Sequence, residues 1–579
     1  MIDVLIIGSG GAGLTAALAA KRTSTQEGVG LGNASILVVG KAYPTNSQTS
    51  MAQGGMNAAL GNVEDDHISA HIADTIKSAH GLCNEDSVRH MCADAPATIE
   101  WLDSLGVPFS RLDNNKSSID TVAQRQMGGA SAKRACYAQD YTGLKILHTL
   151  YDTCLKENID FLDEYYLLNL ILKEDTVKGA TFLDIRTGEV IQINAKSVIM
   201  ATGGYGSIYH GYTTNAYGST GDGVAAVLRA GGAVSDMEFI QFHPTALKGS
   251  SILISESARG EGGYLVNSEG ERFIDELKPR DEVARAIFAQ LQNGNDIFLD
   301  VRHLGEEKLM ELLPQEVELC KLHEHVDPAK ELIPIKPVAH YTMGGIDVDY
   351  ALEINGIKGC FAVGECSNAK VHGANRLGAS SLMQGAGDGY FIAPYTVSNY
   401  LADEITNKVP STDSPEFVEA ENEAKAILDK FLNINGTQTA SFFHKRLGHI
   451  MWQYAGMQRN EEGLKKAQVM ITDLKKEFWS DLKIPGKTDE INQELEKASR
   501  VADFIDLAIL IVNDALNRKE SCGAHFREES MTEGGEAMRI DDKYSFVAAW
   551  EYQGEDKEPK LHKEDLKFEN VEVKVRSYK

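Results

Sequence analysis

The stretch Val4–Ile7, followed by Gly8-Ser9-Gly10-Gly11-Ala12-Gly13 and an alanine-rich helical segment to Lys21, decides the fold. Strand, glycine turn and helix in this order are typical of a dinucleotide-binding site. The glycines permit a tight turn and bring a pyrophosphate close to the helix N-terminus. A purely structural glycine turn is the alternative, which the flanking strand and helix disfavour. A second strand at 35–39 closes the unit and ends at Gly40-Lys41, where an acidic ribose partner is usual.

Two later strands of the same type, at 197–201 and 360–363, end in glycine-containing turns. Their wide separation predicts an α/β, Rossmann-like nucleotide-binding domain formed by residues 1–238 and 346–400. An α+β insertion at 239–345 interrupts this domain. A helical domain at 401–520 and a C-terminal region at 521–579 are expected to follow.

The helical domain is predicted from apolar residues at helical spacing. Ser414-Pro415 supplies an N-cap and a first-turn proline. The first apolar stripe comprises Phe417, Ala424, Ile427, Leu428 and Phe431. The second comprises Leu464, Ala467, Ile471, Leu474 and Phe478, and a third runs over 491–510. No period is evident after about Ser521.

Composition limits the class of protein. The 579 residues, 43% apolar with 53 glycines, fit a soluble α/β enzyme, and a net charge of -27 disfavours nucleic acid as a partner. Apolar runs such as 507–512 are far shorter than the roughly 20 residues that span a bilayer. The chain starts directly in a strand pattern, so we expect it to be cytoplasmic. Its eight cysteines form no CxxC pair, which predicts that most of them are buried thiols and that this chain has no metal site.

Five polar blocks carry the strongest signal. They are Gln241-Phe242-His243-Pro244-Thr245; Glu256 with Arg259-Gly260-Glu261-Gly262-Gly263; Pro279-Arg280-Asp281; His340-Tyr341-Thr342-Met343-Gly344-Gly345; and His372-Gly373-Ala374-Asn375-Arg376-Leu377-Gly378. In this order the blocks resemble the succinate dehydrogenase and fumarate reductase flavoprotein family and its relative L-aspartate oxidase. The resemblance extends from Ile2 to about Arg527.

The resemblance implies an FAD-dependent oxidoreductase acting on CH–CH groups, with the insertion as a capping domain over the substrate. A C4 dicarboxylate has two anionic ends, which guanidinium and imidazole groups can hold. We expect His243 with Thr245 to hold one carboxylate and His340 with Arg376 the other. Ser255 is a further expected contact, although Thr245 and Ser255 are equally compatible with turns.

The resemblance also implies that Arg280 is the proton donor, reprotonated through Arg259 and Glu256. A guanidinium is an unusual acid because its pKa is above ~12. An ion pair on a helix is the alternative interpretation of Glu256 and Arg259.

The segment 47–55 matches the family block beside the flavin ring. Gln48 stands where most membrane-coupled members carry a histidine bonded covalently to the flavin, so we predict non-covalent FAD. A link through His67, His71 or another histidine is the alternative, and the place of His67 and His71 in a later helical stretch disfavours it. The other cofactor contacts implied are Gly8, Gly10, Gly11, Ala12, Gly13, Lys41, Ser47, Thr49, Gln53, Gly54, Gly55, Tyr166 through its backbone, Ala201, Asp222, Glu365, Ser381 and Leu382.

Two functions remain in this interpretation. The first is the flavoprotein subunit of a fumarate reductase or succinate dehydrogenase, leaning to fumarate reduction; the second is L-aspartate oxidase. The segments 128–136 and 359–366 look more like the reductase group. The first function implies an iron–sulfur subunit, a membrane-anchor or cysteine-rich third subunit, and a peripheral place at the inner face of the membrane. A non-enzymatic flavin scaffold is disfavoured because the substrate arginines are present.

Overall fold

A seven-stranded sheet carries the N-terminal glycine turn. The computed structural model describes residues 1–24, 33–113, 116, 118–402, 408–486, 492–553, 557 and 559–569. In order across the sheet, the strands are Asp160–Asp163, Ile36–Gly40, Ile2–Ile7, Val190–Met200, Thr176–Asp184 and Tyr165–Lys173, and Cys360–Ala362 also pairs with Val190–Met200.

The central strand Ile2–Ile7 pairs in parallel with Ile36–Gly40 on one side and with Val190–Met200 on the other. The carboxyl ends of parallel strands meet at one edge, so the turns after Ile7, Met200 and Ala362 lie together there. The helix Gly11–Ser24 begins at this edge. The predicted strands and first helix are therefore confirmed, with bounds shifted by a few residues.

A separate antiparallel sheet lies within residues 239–345. Its strands, in order, are Ile240–Leu247, Ile333–Thr342, Ile297–Asp300 and Tyr264–Asn267. The helices of this region are Glu256–Gly260, Arg280–Gln292, Glu306–Leu312 and Pro314–His323. A hydrophobic cluster of its own, including Leu265, Val283 and Leu299, stabilises the unit. The predicted fold class is confirmed, and the exact domain boundaries stay a prediction.

Four long helices form the helical domain: Pro415–Ile434, Ala440–Ala455, Glu461–Asp481 and Gln493–Asn517. The second predicted stripe, from Leu464 to Phe478, is completely buried. In the first stripe, the prediction that Ile427 is buried was wrong, because this residue is 46% exposed. One residue advances a helix by about 100°, so Leu428 takes the inward position that Ile427 cannot share. Ile491, the start of the third stripe, lies outside the described residues.

The C-terminal region completes another sheet. Its strands Phe546–Glu551 and Lys560–Asp565 join Val234–Ser235, Gly345–Asp347 and Ser367–Asn368 in a five-stranded sheet. Val234 pairs with Trp550, so this sheet depends on contacts between the middle of the sequence and its C-terminal region. No local period marks such a pairing, which explains why the sequence predicted no strand here.

The remaining elements connect these units. Helices span Ile68–Ser78, Glu85–Ser104, Thr142–Lys156, Asp222–Arg229, Ser381–Gly387, Ala393–Leu401 and Asp541–Tyr544, with a π-helical turn at Asp388–Ile392. A small three-stranded sheet consists of Met56–Asn57, Ala135–Cys136 and Gln124–Arg125. All eight cysteines are buried free thiols, as predicted. Across the described ranges, no helix has both the length and the apolar character to cross a membrane.

The helical domain provides a stability prediction. Phe478 is completely buried, and its ring lies 5.4 Å from that of Phe443. Phe478→Ala should lower the free energy of unfolding by about 3–5 kcal/mol, through lost burial and a residual cavity. Val469→Ala on the same helix is the matched control, because Val469 is 60% exposed. Chemical denaturation should separate the two variants, and equal midpoints would contradict this packing.

Candidate active site

A large cavity, part of it open to solvent, lies between the carboxyl edge of the parallel strands and the 239–345 region. The glycine turn forms one part of its wall. His243, Glu256, Arg280, His340 and Arg376 form another part. The cavity therefore joins the predicted cofactor residues to the predicted substrate residues.

The glycine turn has the close packing that a dinucleotide cradle needs. A Cβ on Gly13 would lie 1.9 Å from the Gly8 carbonyl oxygen, so only glycine allows this contact between helix and strand. Gly8 itself has φ +120° and packs on Ala201. A Cβ on Gly10 would meet nothing nearer than 3.5 Å, which leaves the turn open toward the cavity. These residues fit the pyrophosphate of FAD.

The segment 47–55 lines the same cavity. Buried Ser47 Oγ and Gln53 Oε1 make no hydrogen bond within the described residues. Unpaired polar atoms of this kind are costly, so they fit contacts to a bound polar group. Gln48 begins the turn Gln48–Met51, and its Oε1 accepts the N–H of Ala216 at 2.8 Å. Position 48 therefore lies in the cavity wall.

Lys41 and Asp222 form an ion pair in the cavity wall. Lys41 Nζ lies 2.5 Å from Asp222 Oδ1 and 2.7 Å from the hydroxyl of Thr220. An acidic side chain thus reaches the end of the second strand from a distant helix, rather than from the position after Gly40. Glu365 also lines the cavity; burial raises its pKa to about 7, and its carboxylate accepts the N–H of Thr342 at 3.0 Å.

Arg280 and Glu256 form a buried ion pair facing the cavity. Arg280 Nε donates to Glu256 Oε2 at 2.9 Å, and Nη2 lies 2.8 Å from the same oxygen. Arg280 Nη1 donates to Gln241 Oε1 at 3.1 Å. Arg280 is the first residue of the helix Arg280–Gln292 and directly follows Pro279. The three contacts to Glu256 and Gln241 hold its guanidinium at the start of this helix.

Arg259 stands behind this pair. Its Nη2 is 3.8 Å from Glu256 Oε1, and its Nη1 donates to the Glu276 carbonyl at 2.6 Å. Glu256 Oε1 also accepts the Gly128 N–H at 2.9 Å. Burial acts to raise the pKa of Glu256, but the charges of Arg280 and Arg259 outweigh it and lower the pKa. Burial lowers the pKa of Arg259.

His243 and His340 face each other with ring centroids 4.8 Å apart. Burial, followed by the charge of Arg280, lowers the pKa of both well below the usual range, so both are neutral at neutral pH. The Nδ1 of His243 lies 3.1 Å from the N–H of Thr245, and the Nδ1 of His340 lies 2.7 Å from the Thr214 hydroxyl. Each ring therefore keeps its Nε2 for another partner.

Arg376 is buried beside the histidines, with its guanidinium 4.3 Å above the ring of Tyr341. Its Nε makes no hydrogen bond to any residue that the structure describes. Burial, reinforced by Arg280, lowers its pKa to about 9. Among the described residues no carboxylate forms a hydrogen bond or ion pair with Arg376, which suits an anionic ligand at this guanidinium.

Most predicted site residues line the cavity, and four do not. Gly13 packs against the strand as described above. Tyr166 is buried elsewhere and donates its hydroxyl to Asp503 at 3.0 Å, while its neighbours Tyr165 and Leu167 line the wall. Thr245 turns its hydroxyl to the Ile254 carbonyl at 2.7 Å. Arg259, behind Glu256, is the fourth; Ser255 does line the cavity.

The structure adds residues that sequence reasoning did not single out. Gln241 links Arg280 to the Arg376 carbonyl, to which it donates at 2.7 Å. Its place in the block before His243 was a usable signal. Gly128 and Thr214 belong to no block with an expected role, so only the folded chain reveals their contacts to Glu256 and His340.

Comparison with known proteins agrees with this site. An FAD binding domain model matches residues 3–382, and a fumarate reductase flavoprotein C-terminal model matches residues 444–578. The succinate dehydrogenase flavoprotein subunit of Rickettsia bellii is 35% identical over 558 residues, covering 91% of this chain and 90% of the relative. The chain belongs to the succinate dehydrogenase and fumarate reductase flavoprotein family. The fumarate reductase flavoprotein subunit of Escherichia coli K12 is 36% identical, over 92% of this chain and 89% of the relative.

A solved Escherichia coli quinol fumarate reductase chain has the same fold, with a TM-score of 0.90 and 33% identity over 99% of this chain and 98% of that one. The predicted family and enzyme class, an FAD-dependent oxidoreductase acting on CH–CH groups, are confirmed. Among the described residues, no group of three or more His, Cys, Asp or Glu side chains is arranged to hold a metal ion.

The glycine cradle generates a test of cofactor binding. Gly13→Ala should empty the protein of FAD and destabilise it by about 1–3 kcal/mol, because the new methyl overlaps the Gly8 carbonyl oxygen. Gly387→Ala is the control, since a Cβ there meets nothing within 4 Å. The ratio of flavin to protein absorbance measures the outcome, and full flavin content in Gly13→Ala would contradict the cradle.

Proposed function

We propose that this chain is the catalytic flavoprotein subunit that interconverts fumarate and succinate, and that it leans toward fumarate reduction. The observation that carries the proposal is the Arg280–Glu256 pair, which faces a cavity where Arg376 and two neutral histidines also converge. The named relatives are fumarate reductases and succinate dehydrogenases, which supports this substrate class. They do not favour the alternative, L-aspartate oxidase.

FAD, when bound, supplies or accepts the hydride. The glycine turn, the segment 47–55, Lys41, Asp222 and Glu365 are proposed to hold it. The neutral imidazoles of His243 and His340 and the guanidinium of Arg376 would then bind the two carboxylates of the substrate. Two anionic charges in this corner offset the buried guanidinium charges, so the site favours a dianion over a neutral ligand.

Reduction of a carbon–carbon double bond requires a proton at the carbon next to the one that receives hydride. Arg280 is the proposed donor because its guanidinium lies in the cavity wall and its geometry is fixed by Glu256 and Gln241. Glu256 is the group proposed to return the proton, and Arg259 lies behind it, with its Nη2 3.8 Å from Glu256 Oε1. In succinate oxidation the same groups carry the proton outward.

Gln48 supports the proposed non-covalent attachment of FAD. It is a cavity-lining residue that holds the Ala216 N–H with its side-chain oxygen, and it has no ring nitrogen to bond to the flavin. Among the described histidines that line the cavity, His243 and His340 are engaged at the substrate end. His71 is buried in the helix Ile68–Ser78, outside the cavity wall.

Partners are part of the proposal. Among the described residues no group of three or more His, Cys, Asp or Glu side chains is arranged to hold a metal ion, and the proposal assigns electron transfer to a partner subunit. An iron–sulfur subunit, with a membrane-anchor or cysteine-rich third subunit, is the proposed assembly, which would hold this chain at the inner face of the membrane. The similarity to quinol fumarate reductase supports it.

The role of Arg280 is tested by Arg280→Lys. Lysine keeps the charge but loses the fork that Glu256 and Gln241 hold, so fumarate turnover should fall about 10²–10⁴-fold while dicarboxylate binding survives. Dye-coupled turnover and calorimetric binding of an unreactive dicarboxylate measure the two effects. Arg302→Lys, 46% exposed and paired with Asp300, is the control. Retained turnover in Arg280→Lys would remove Arg280 as the donor.

Flavin attachment and direction are tested together. A covalent link withdraws electron density from the flavin and raises its reduction potential, so its absence should favour fumarate reduction over succinate oxidation. Acid denaturation should release all FAD, leaving no flavin fluorescence on the chain in a denaturing gel. Dye-coupled assays should show faster fumarate reduction. Gln48→His is the matched variant, and flavin that remained on the parent chain would contradict non-covalent attachment.

A further inference from the structure

The proposed proton route stops inside the protein at Arg259. Its side chain is 0% exposed, and so is that of Glu256. A proton that reaches Arg280 through these groups must still cross from solvent to Arg259. This argument rests on the proposed function, because only that function requires proton delivery to the cavity.

Basic and acidic side chains alternate from Arg259 toward the surface. Glu316 is buried in the helix Pro314–His323, and its charge interacts with both Arg259 and Arg125. Glu316 Oε1 accepts the N–H of Ser255 at 2.9 Å, which places it beside the start of the Glu256 helix. Beyond Glu316, the Nε of Arg125 lies 3.9 Å from Glu261, whose side chain is 16% exposed.

Several charged atoms of this cluster make no hydrogen bond within the described residues. They are buried Nε and Nη2 of Arg259, Nε and Nη1 of Arg125, and Oδ1 of Asp140. The gaps of 3.8 Å to Glu256 and 3.9 Å to Glu261 are too long for direct hydrogen bonds. A water molecule can bridge charged groups at such spacing and can also pass a proton between them.

We propose that Glu316 and Arg125, entered from solvent at Glu261, extend the proton route to Arg259 and Glu256. For each fumarate reduced, one proton enters at Glu261 and one passes from Glu256 to Arg280. We call this series of groups, from Glu261 through Arg125, Glu316 and Arg259 to Glu256, the proton ladder. Each of its groups gives up one proton and regains one, so the ladder undergoes no net change and no redox step. None of the added groups touches the substrate, and each acts through its neighbour.

Asp140 raises the pKa of Glu316, the middle residue of the ladder. Its Oδ2 accepts the backbone N–H of Glu316 at 2.8 Å. Burial and then the Asp140 carboxylate raise the pKa of Glu316 well above the usual range, while Arg125 and Arg259 act in the opposite direction. Burial raises the pKa of Asp140 to about 6. The charge of Glu316 also raises the pKa of the Cys320 thiol, after the larger effect of burial. Burial and Asp140 therefore both favour the protonated form of the Glu316 carboxyl, which is the form that a proton donor needs.

Glu316→Gln in the full-length FAD-containing protein tests the ladder. Glutamine keeps an oxygen for the Ser255 N–H but cannot relay a proton. Turnover number for fumarate reduction with a reduced viologen dye should fall at least ~10-fold, and the solvent deuterium isotope effect should rise as proton delivery becomes limiting. The KM for fumarate and the FAD content should not change.

Glu324→Gln is the matched control, because Glu324 follows the same helix and its carboxylate accepts the Gly249 N–H at 2.6 Å, away from the ladder. Glu261→Gln, near the surface, should also raise the solvent deuterium isotope effect. This variant tests the ladder if Glu316→Gln does not fold. The ladder would be refuted, and the proposed function left intact, if both ladder variants kept the turnover number and isotope effect of the unmodified protein. An increase in the KM for fumarate that accounted for the lost activity would refute the ladder in the same way. A parent protein without fumarate turnover would instead refute the proposed function, and the ladder with it.

Discussion

The buried contact between Glu256 and Arg280 is the constraint on which the site depends. Both side chains are almost completely removed from water, and a buried charge without its partner costs several kcal/mol. The two residues begin separate helices, Glu256–Gly260 and Arg280–Gln292, so their pairing fixes the relative position of both helix starts. The Gly128 N–H and the Gln241 amide complete the hydrogen bonding around the pair. The geometry of the proposed donor is thereby set before any substrate arrives.

Positive charge in the cavity has a second consequence. Arg280 lowers the pKa of His243, His340 and Arg376, in each case after the effect of burial. The histidines therefore stay neutral, and their unfolded forms bind protons near pH 6.5 that the folded forms do not. Their contribution to stability is consequently present above about pH 6.5 and is lost as the pH falls below it. A bound dianion would act against this effect, because negative charge favours protonated imidazole.

Local constraints were predictable from sequence, and distant pairings were not. The glycine turn was identified because its packing needs glycine at Gly8 and Gly13. The polar blocks located His243, Arg280 and Arg376 because each residue lies in a recognisable segment. Thr245 was placed in the cavity by its nearness to His243, yet strand geometry turns its hydroxyl to Ile254. Arg125, Asp140 and Glu316 come from three unrelated segments, so no sequence pattern brings them together.

The C-terminal sheet shows why a tail without a periodic pattern can still be structural. Asp236 accepts the Ala548 N–H, and Asp514 accepts both the Met237 N–H and the Trp550 indole N–H. Arg518 holds Glu238 at 2.6 Å. These contacts fix residues 236–238, which directly precede the strand Ile240–Leu247 that carries His243. Buried polar groups of this kind are costly to separate, so the C-terminal region and the last long helix together anchor one end of the strand that forms the substrate side of the cavity.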